Sequence, residues 1–122
     1  MSAVTGVGVD AVDVDRFRDV LGRRPAIADR LFTEGERSDG RGDPQRLAAR
    51  FAAKEATMKA LGRGLGSFGW HEVEVVRAPS GAPSLRLTAT AAELARRQGV
   101  ARWHVSLTHT DRVAIAMVVA EA

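Results

Sequence analysis

RLAARFAAKEATMKALGRGLG, residues 46–66, is the stretch whose reading decides the fold. Asp43-Pro44 just before it supplies an N-cap and a first-turn proline, and Gly62 supplies a stop, so a helix of about five turns is expected between them. Leu47, Phe51 and Met58, with Leu61 at the edge, recur at the 3.6-residue period of a helix facing a core. Glu55 falls on that stripe, where a carboxylate is costly unless a cation or hydrogen-bond donors meet it. Some other part of the chain must therefore face Glu55.

Upstream, residues 4–14 (VTGVGVDAVDV) read as a strand with Val7 and Val9 on one face and Gly6, Gly8 and Asp10 on the other. Two glycines beside an acid leave room for a ligand or a second backbone. A short helix follows, with Phe17, Val20 and Leu21 inward, Arg16, Arg18, Arg23 and Arg24 outward, and Pro25 at its end. Residues 26–32 read as another short helix, Thr33 to Glu36 has capping-box spacing, and residues 38–42 read as a mobile loop. Downstream, residues 62–66 form a glycine turn, and His71, Val73 and Val75 alternate along a half-buried strand. Pro79-Ser80-Gly81 turns that strand back into a hairpin partner through Leu85 to Leu87. Thr90 to Glu93 has capping-box spacing and opens a helix that Gly99 stops. Two last strands follow, Trp103 to His109 and the strongly apolar Val113 to Ala120. The sum is a single α+β domain spanning residues 1–122, with an antiparallel sheet of roughly four or five strands packed on a long central helix.

With 122 residues the chain fits one modest core, and its 45% apolar content is ordinary for a globular protein. It has no run of eighteen apolar residues and no basic-then-apolar leader, so a cytoplasmic protein without a membrane span is expected. The absence of cysteine excludes disulfides, thiolate chemistry and a cysteine-based zinc site. A formal charge of +3 suits acidic or phosphate-bearing partners but falls short of a nucleic-acid footprint.

Asp10 and Glu55 are two inward carboxylates that a shared hard cation would reconcile. Magnesium suits them best, since it takes one or two protein carboxylates and fills its shell with water and phosphate oxygens. Spacing alone leaves another account open, in which Glu55 pairs with Lys59 along the helix and Asp10 caps the helix that follows it.

Residues 6–16 (GVGVDAVDVDR) and 50–56 (RFAAKEA) resemble the two signature motifs of the holo-[acyl-carrier-protein] synthases, the small 4'-phosphopantetheinyl transferases. Ser106-Leu107-Thr108-His109-Thr110 resembles their third motif, with Thr108 in place of the usual serine. The three stand in the family's order and cover essentially the whole chain. The resemblance implies transfer of the phosphopantetheine arm of coenzyme A to a serine of apo acyl carrier protein, with release of adenosine 3',5'-bisphosphate. It also implies that Asp10 and Glu55 hold magnesium, and that Lys59 and His109 join them as catalytic residues at the phosphates. Arg50, Lys54, Gly62 and Gly64 would contribute to the coenzyme A site. Arg16, Arg18, Arg23 and Arg24 would dock the acidic carrier, and the site would lie between subunits of a homotrimer. The apolar last strand, Val113 to Val119, reads either as part of that interface or as a central strand of the sheet. Neither a nucleic acid nor a membrane is expected as a partner. His71 and His104 match no motif and are expected to be structural or exposed, and Trp70 and Trp103 to lie in the core or an interface. Two readings from other classes stay open: a non-catalytic basic module that binds RNA or an acidic protein, and a different metal-dependent phosphotransferase on the same fold.

Overall fold

The computed structural model describes residues 3–64 and 66–122; Leu65, within the expected glycine turn, lies outside the described residues. The chain runs β1 (Val4–Asp13), α1 (Val14–Arg23), α2 (Ala26–Leu31), α3 (Glu34–Gly40), α4 (Pro44–Ala60), a single 3-10 turn (Trp70–Glu72), β2 (Val73–Arg77), β3 (Pro83–Leu87), α5 (Ala89–Arg97), β4 (Arg102–His109) and β5 (Val113–Glu121). All strand pairs are antiparallel, but the strands form two sheets instead of one: β1-β5-β4 and the hairpin β2-β3. No helix among the described residues is long and apolar enough to cross a membrane.

α4 is the centre, as its capping signals predict. Asp43 accepts a hydrogen bond from the Gln45 amide, Pro44 occupies the first turn, and Gly62 follows with a φ of 67°. The helix lies across the inner face of the three-stranded sheet, alanine against alanine. Ala52, Ala53, Ala56 and Ala60 meet Ala116 and Val118 of the central strand β5. Small side chains on both sides let the layers approach closely, and at β1 the approach is backbone on backbone. A Cβ at Gly8 would stand 1.8 Å from the Ala56 carbonyl oxygen, and one at Gly6 1.9 Å from that of Ala60. These glycines therefore fit β1 against α4, the second of the two uses that the Gly-Val-Gly pattern left open.

The close packing also corrects the helix reading. α4 is buried on nearly every side, and the ridge with the least cover is Phe51, Glu55 and Lys59, so Glu55 stands half-buried beside the core. Val20, expected inward, is exposed. Residues 38–40 belong to α3, which ends with Arg41 in the left-handed region at φ 52°; the expected loop is only a short turn. His71 sits in the 3-10 turn, and β2 begins at Val73. α5 begins at Ala89, not at Thr90, and its first turn is capped by Glu72, which accepts from the Ala91 amide at 3.0 Å and the Gly69 amide at 2.8 Å.

Candidate active site

Alternation along β1 carries Asp10 to the α4 side after Gly6 and Gly8, and the glycine contact sets it beside the Glu55 ridge. Lys59 Nζ lies 3.1 Å from Asp10 Oδ1 and donates to the Val9 carbonyl at 3.0 Å. Burial pushes the Glu55 carboxyl above its ordinary pKa, the charge of Asp10 pushes it further, and Lys59 pulls it back. A carboxyl whose ionisation is opposed by burial and by a neighbouring carboxylate calls for positive charge, and Lys59 supplies one unit. No group of three or more His, Asp or Glu gathers among the described residues, so a metal held here takes two protein carboxylates and finds its other ligands in water or substrate. That donor set fits magnesium. Asp13 is occupied as the α1 N-cap, accepting from the Arg16 amide at 2.9 Å.

A cavity of about 430 Å³ opens beside the carboxylates, lined by Asp10, Arg16, Phe17, Phe51, Glu55 and Trp70 among others. Its aromatic wall is a run of rings, Phe17 to Phe51 at 5.4 Å and Phe51 to Trp70 at 5.1 Å between centroids.

His109 is not in this cluster. It lines a second cavity of about 440 Å³ with Arg46, Arg50, Arg77 and Ser106. The helical period places Arg46 and Arg50 on a different face of α4 from Glu55. Arg50 is buried, so it is not part of a solvated basic face. One of its terminal nitrogens donates to the Arg46 carbonyl at 3.2 Å, while its Nε is buried without a partner. Burial lowers the Arg50 pKa, and the nearby charges of Asp39 and Glu36 oppose the change. Three guanidiniums and an imidazole around one cavity, one of them with an unspent donor, suit an anion with several oxygens. Arg46 and Arg77 were not anticipated. Arg46 had a legible signal, since it precedes Arg50 by one helical turn; Arg77 had none, because only the hairpin brings it there.

Lys54 has to be withdrawn from the coenzyme A set. Its side chain is fully buried, 2.7 Å from Glu36 Oε1, and it donates to the carbonyls of Trp70 at 2.9 Å and Val73 at 2.5 Å. Glu36 in turn accepts from the Val75 and Thr33 amides, completing the expected capping box. The pair therefore ties α3 and α4 to β2, and neither charge reaches a ligand. Gly62 and Gly64 line neither the Asp10 cavity nor the His109 cavity; the structure gives them a turn at the end of α4. The four arginines expected on the first helix, of which Arg24 follows α1 as its C-cap, separate. Arg16 lines the Asp10 cavity, Arg18 pairs with Asp15 at 2.9 Å, and Arg23 and Arg24 flank a small cleft with Val20. His71 contacts the Asp29 carbonyl and His104 contacts Glu121, both exposed.

Over residues 6–118 the chain matches the sequence pattern of the 4'-phosphopantetheinyl transferase superfamily. The chain belongs to that superfamily. Among curated relatives, the holo-[acyl-carrier-protein] synthase of Frankia alni is 60% identical over 98% of this chain and 99% of its own length. Of solved structures, that of the Neisseria meningitidis holo-[acyl-carrier-protein] synthase has a TM-score of 0.88 at 30% identity, covering 98% of this chain and all of the other. The Helicobacter pylori enzyme, solved in complex with coenzyme A, has a TM-score of 0.85 at 26% identity over 93% of this chain and 98% of its own. Within the phosphopantetheinyl transferases this chain stands with the holo-[acyl-carrier-protein] synthases, and it is an enzyme. The three sequence motifs thus carry the family correctly, and the reading as a non-catalytic module is set aside.

Proposed function

We infer that this enzyme moves the 4'-phosphopantetheine arm of coenzyme A onto a serine hydroxyl of an apo acyl carrier protein and releases adenosine 3',5'-bisphosphate. The observation that carries the reading is the meeting of Asp10 and Glu55, distant in sequence, at the mouth of an apolar cavity with a lysine beside them. The serine oxygen forms a bond to the phosphorus next to the pantetheine arm, the bridging pyrophosphate P–O bond breaks with its electron pair staying on the departing adenosine 3',5'-bisphosphate, and the serine proton passes to water. Asp10 and Glu55 would hold magnesium, which supplies charge neutralisation on the phosphate oxygens. Lys59, on the same helical ridge as Glu55, would contribute a movable positive charge to the pyrophosphate. The aromatic wall of Phe51 and Trp70 would exclude water from the reacting phosphorus.

Arg46, Arg50, Arg77 and His109 would receive the remaining phosphate of coenzyme A. On one subunit they line a different cavity from the carboxylates, which supports a ligand held between neighbouring subunits, in keeping with a homotrimer. The outer sheet face supports the same assembly. Val7 and Val9 of β1 are 53% and 57% exposed, and Met117, opposite Val9, is 50% exposed. Arg16, Arg18 and Arg23 of α1 and Arg24 just after it are exposed, and an acidic carrier would approach there with its association steered by charge. A cytoplasmic setting accords with the cysteine-free sequence.

The test is incubation with coenzyme A, magnesium and an apo carrier, followed by intact-mass measurement of the carrier. Addition of a single phosphopantetheine is expected. Asp10→Asn and Glu55→Gln are each expected to lower kcat/KM by about 100-fold or more. An unmodified carrier sinks the reading, and so does full activity in both variants.

A further inference from the structure

We propose that Lys59 and the divalent cation compete for the same oxygen of Asp10, and that ligand phosphates relieve the competition by drawing Lys59 away. The inference rests on the reading of Asp10 and Glu55 as metal ligands, and it gives the site a rule: metal and phosphate ligand bind with positive coupling, and Lys59 is the coupler.

Lys59 spends its hydrogen bonds on the strand opposite. The ammonium meets Asp10 Oδ1 at 3.1 Å and the Val9 carbonyl at 3.0 Å, so it is docked across the gap between α4 and β1. That gap is narrow because Gly6 and Gly8 let the helix backbone rest on the strand, which brings a residue of this helical turn within reach of Asp10. An ammonium at hydrogen-bond distance from a carboxylate oxygen and a divalent ion on that oxygen repel each other strongly, so one must leave. The structure indicates which is able to. The Lys59 side chain is 54% exposed, whereas that of Asp10 is 13% exposed. Lys59 swings on a flexible four-carbon stem without unpacking the core, while Asp10 is fixed by β1 and its pairing to β5. Formal charges point the same way: two carboxylates and one ammonium leave the site at −1, which still attracts a cation, though less than −2 would. A phosphate group entering beside the metal offers Lys59 another partner, and the oxygen it gives up becomes a metal ligand. Linkage then requires that metal tighten phosphate binding by the factor by which phosphate tightens metal binding.

The experiment measures binding, not turnover. Manganese(II) is titrated by calorimetry into the EDTA-dialysed full-length protein, alone and with saturating coenzyme A, for wild type, Lys59→Met and Lys59→Arg. Lys59→Met is expected to bind manganese alone about fivefold more tightly than wild type, the scale set by loss of one exposed ion pair. The tightening caused by coenzyme A is expected to shrink by a similar factor. Lys59→Arg, which keeps the charge, is expected to stay near wild type in both respects. Equal or weaker manganese binding by Lys59→Met alone overturns the competition. Failure of wild type to bind manganese even with coenzyme A overturns the metal reading beneath it, and that result is visible without reference to Lys59.

Discussion

Two adjacent residues of α4, Lys54 and Glu55, have opposite fates, and one helical step of about 100° separates them. Glu55 reaches the site, while Lys54 points into the junction of α3, α4 and β2. Burial lowers the Lys54 pKa, and the Glu36 charge offsets that. Removing either partner leaves the other charged and buried, so Glu36→Ala and Lys54→Met are each expected to lower unfolding free energy by about 3–5 kcal/mol in urea titrations. In a double-mutant cycle the two losses should fall well short of additive, as expected for groups sharing one network. The need of Glu55 for a partner was legible from sequence, but its place was not, because the apolar stripe set it among core side chains while α4 leaves it on the least covered ridge. Spacing alone also left Asp10 open between sharing a cation with Glu55 and capping the next helix. The fate of Lys54 was not legible either. A motif gives residue types and spacing, but whether a lysine points at a ligand or at two carbonyls depends on elements elsewhere in the chain, here the Trp70–Val73 segment.

Among the elements, β1 and α4 were readable because each carries a strong local signal: period-two alternation around glycines, and a proline-initiated helix with a glycine stop. Gly8→Ala tests their contact. A methyl group there meets the Ala56 backbone, which cannot rotate away, so a loss of about 3 kcal/mol or more is expected on chemical unfolding, at the upper end of overpacking penalties. Manganese affinity should fall as well, because β1 carries Asp10. The α5 start was less readable. Thr90 to Glu93 has the spacing of a capping box, yet Glu93 pairs with Arg96 and Arg97, and the cap comes from Glu72 on a distant segment. The Gly69 amide, followed by those of Ala91 and Thr90, holds the Glu72 carboxyl below its ordinary pKa. A depressed carboxylate contributes stability that is fully present above the ordinary carboxylate pKa and is lost as pH falls through the lower folded value. Acid unfolding monitored by circular dichroism should therefore lose less stability over that window in Glu72→Gln than in wild type.

For the whole molecule, the α+β class and the antiparallel strands follow from the order and period of the segments. The division into two sheets does not, because hydrophobic alternation specifies which face of a strand is buried and leaves its neighbour open. The division matters because the hairpin β2-β3, set apart from β1-β5-β4, brings Arg77 round to Arg50 and His109 on a face of α4 away from Asp10. If a ligand spans two neighbouring subunits, then two inactive proteins should rescue each other. Asp10→Asn and His109→Ala subunits, unfolded together and refolded as a mixture, would form rings in which one junction joins an intact Asp10 to an intact His109. In a closed ring of three, every hybrid contains one such junction, so each hybrid should recover about one third of the wild-type rate, while either parent alone stays silent. Absence of any rescue would confine both clusters to a single polypeptide.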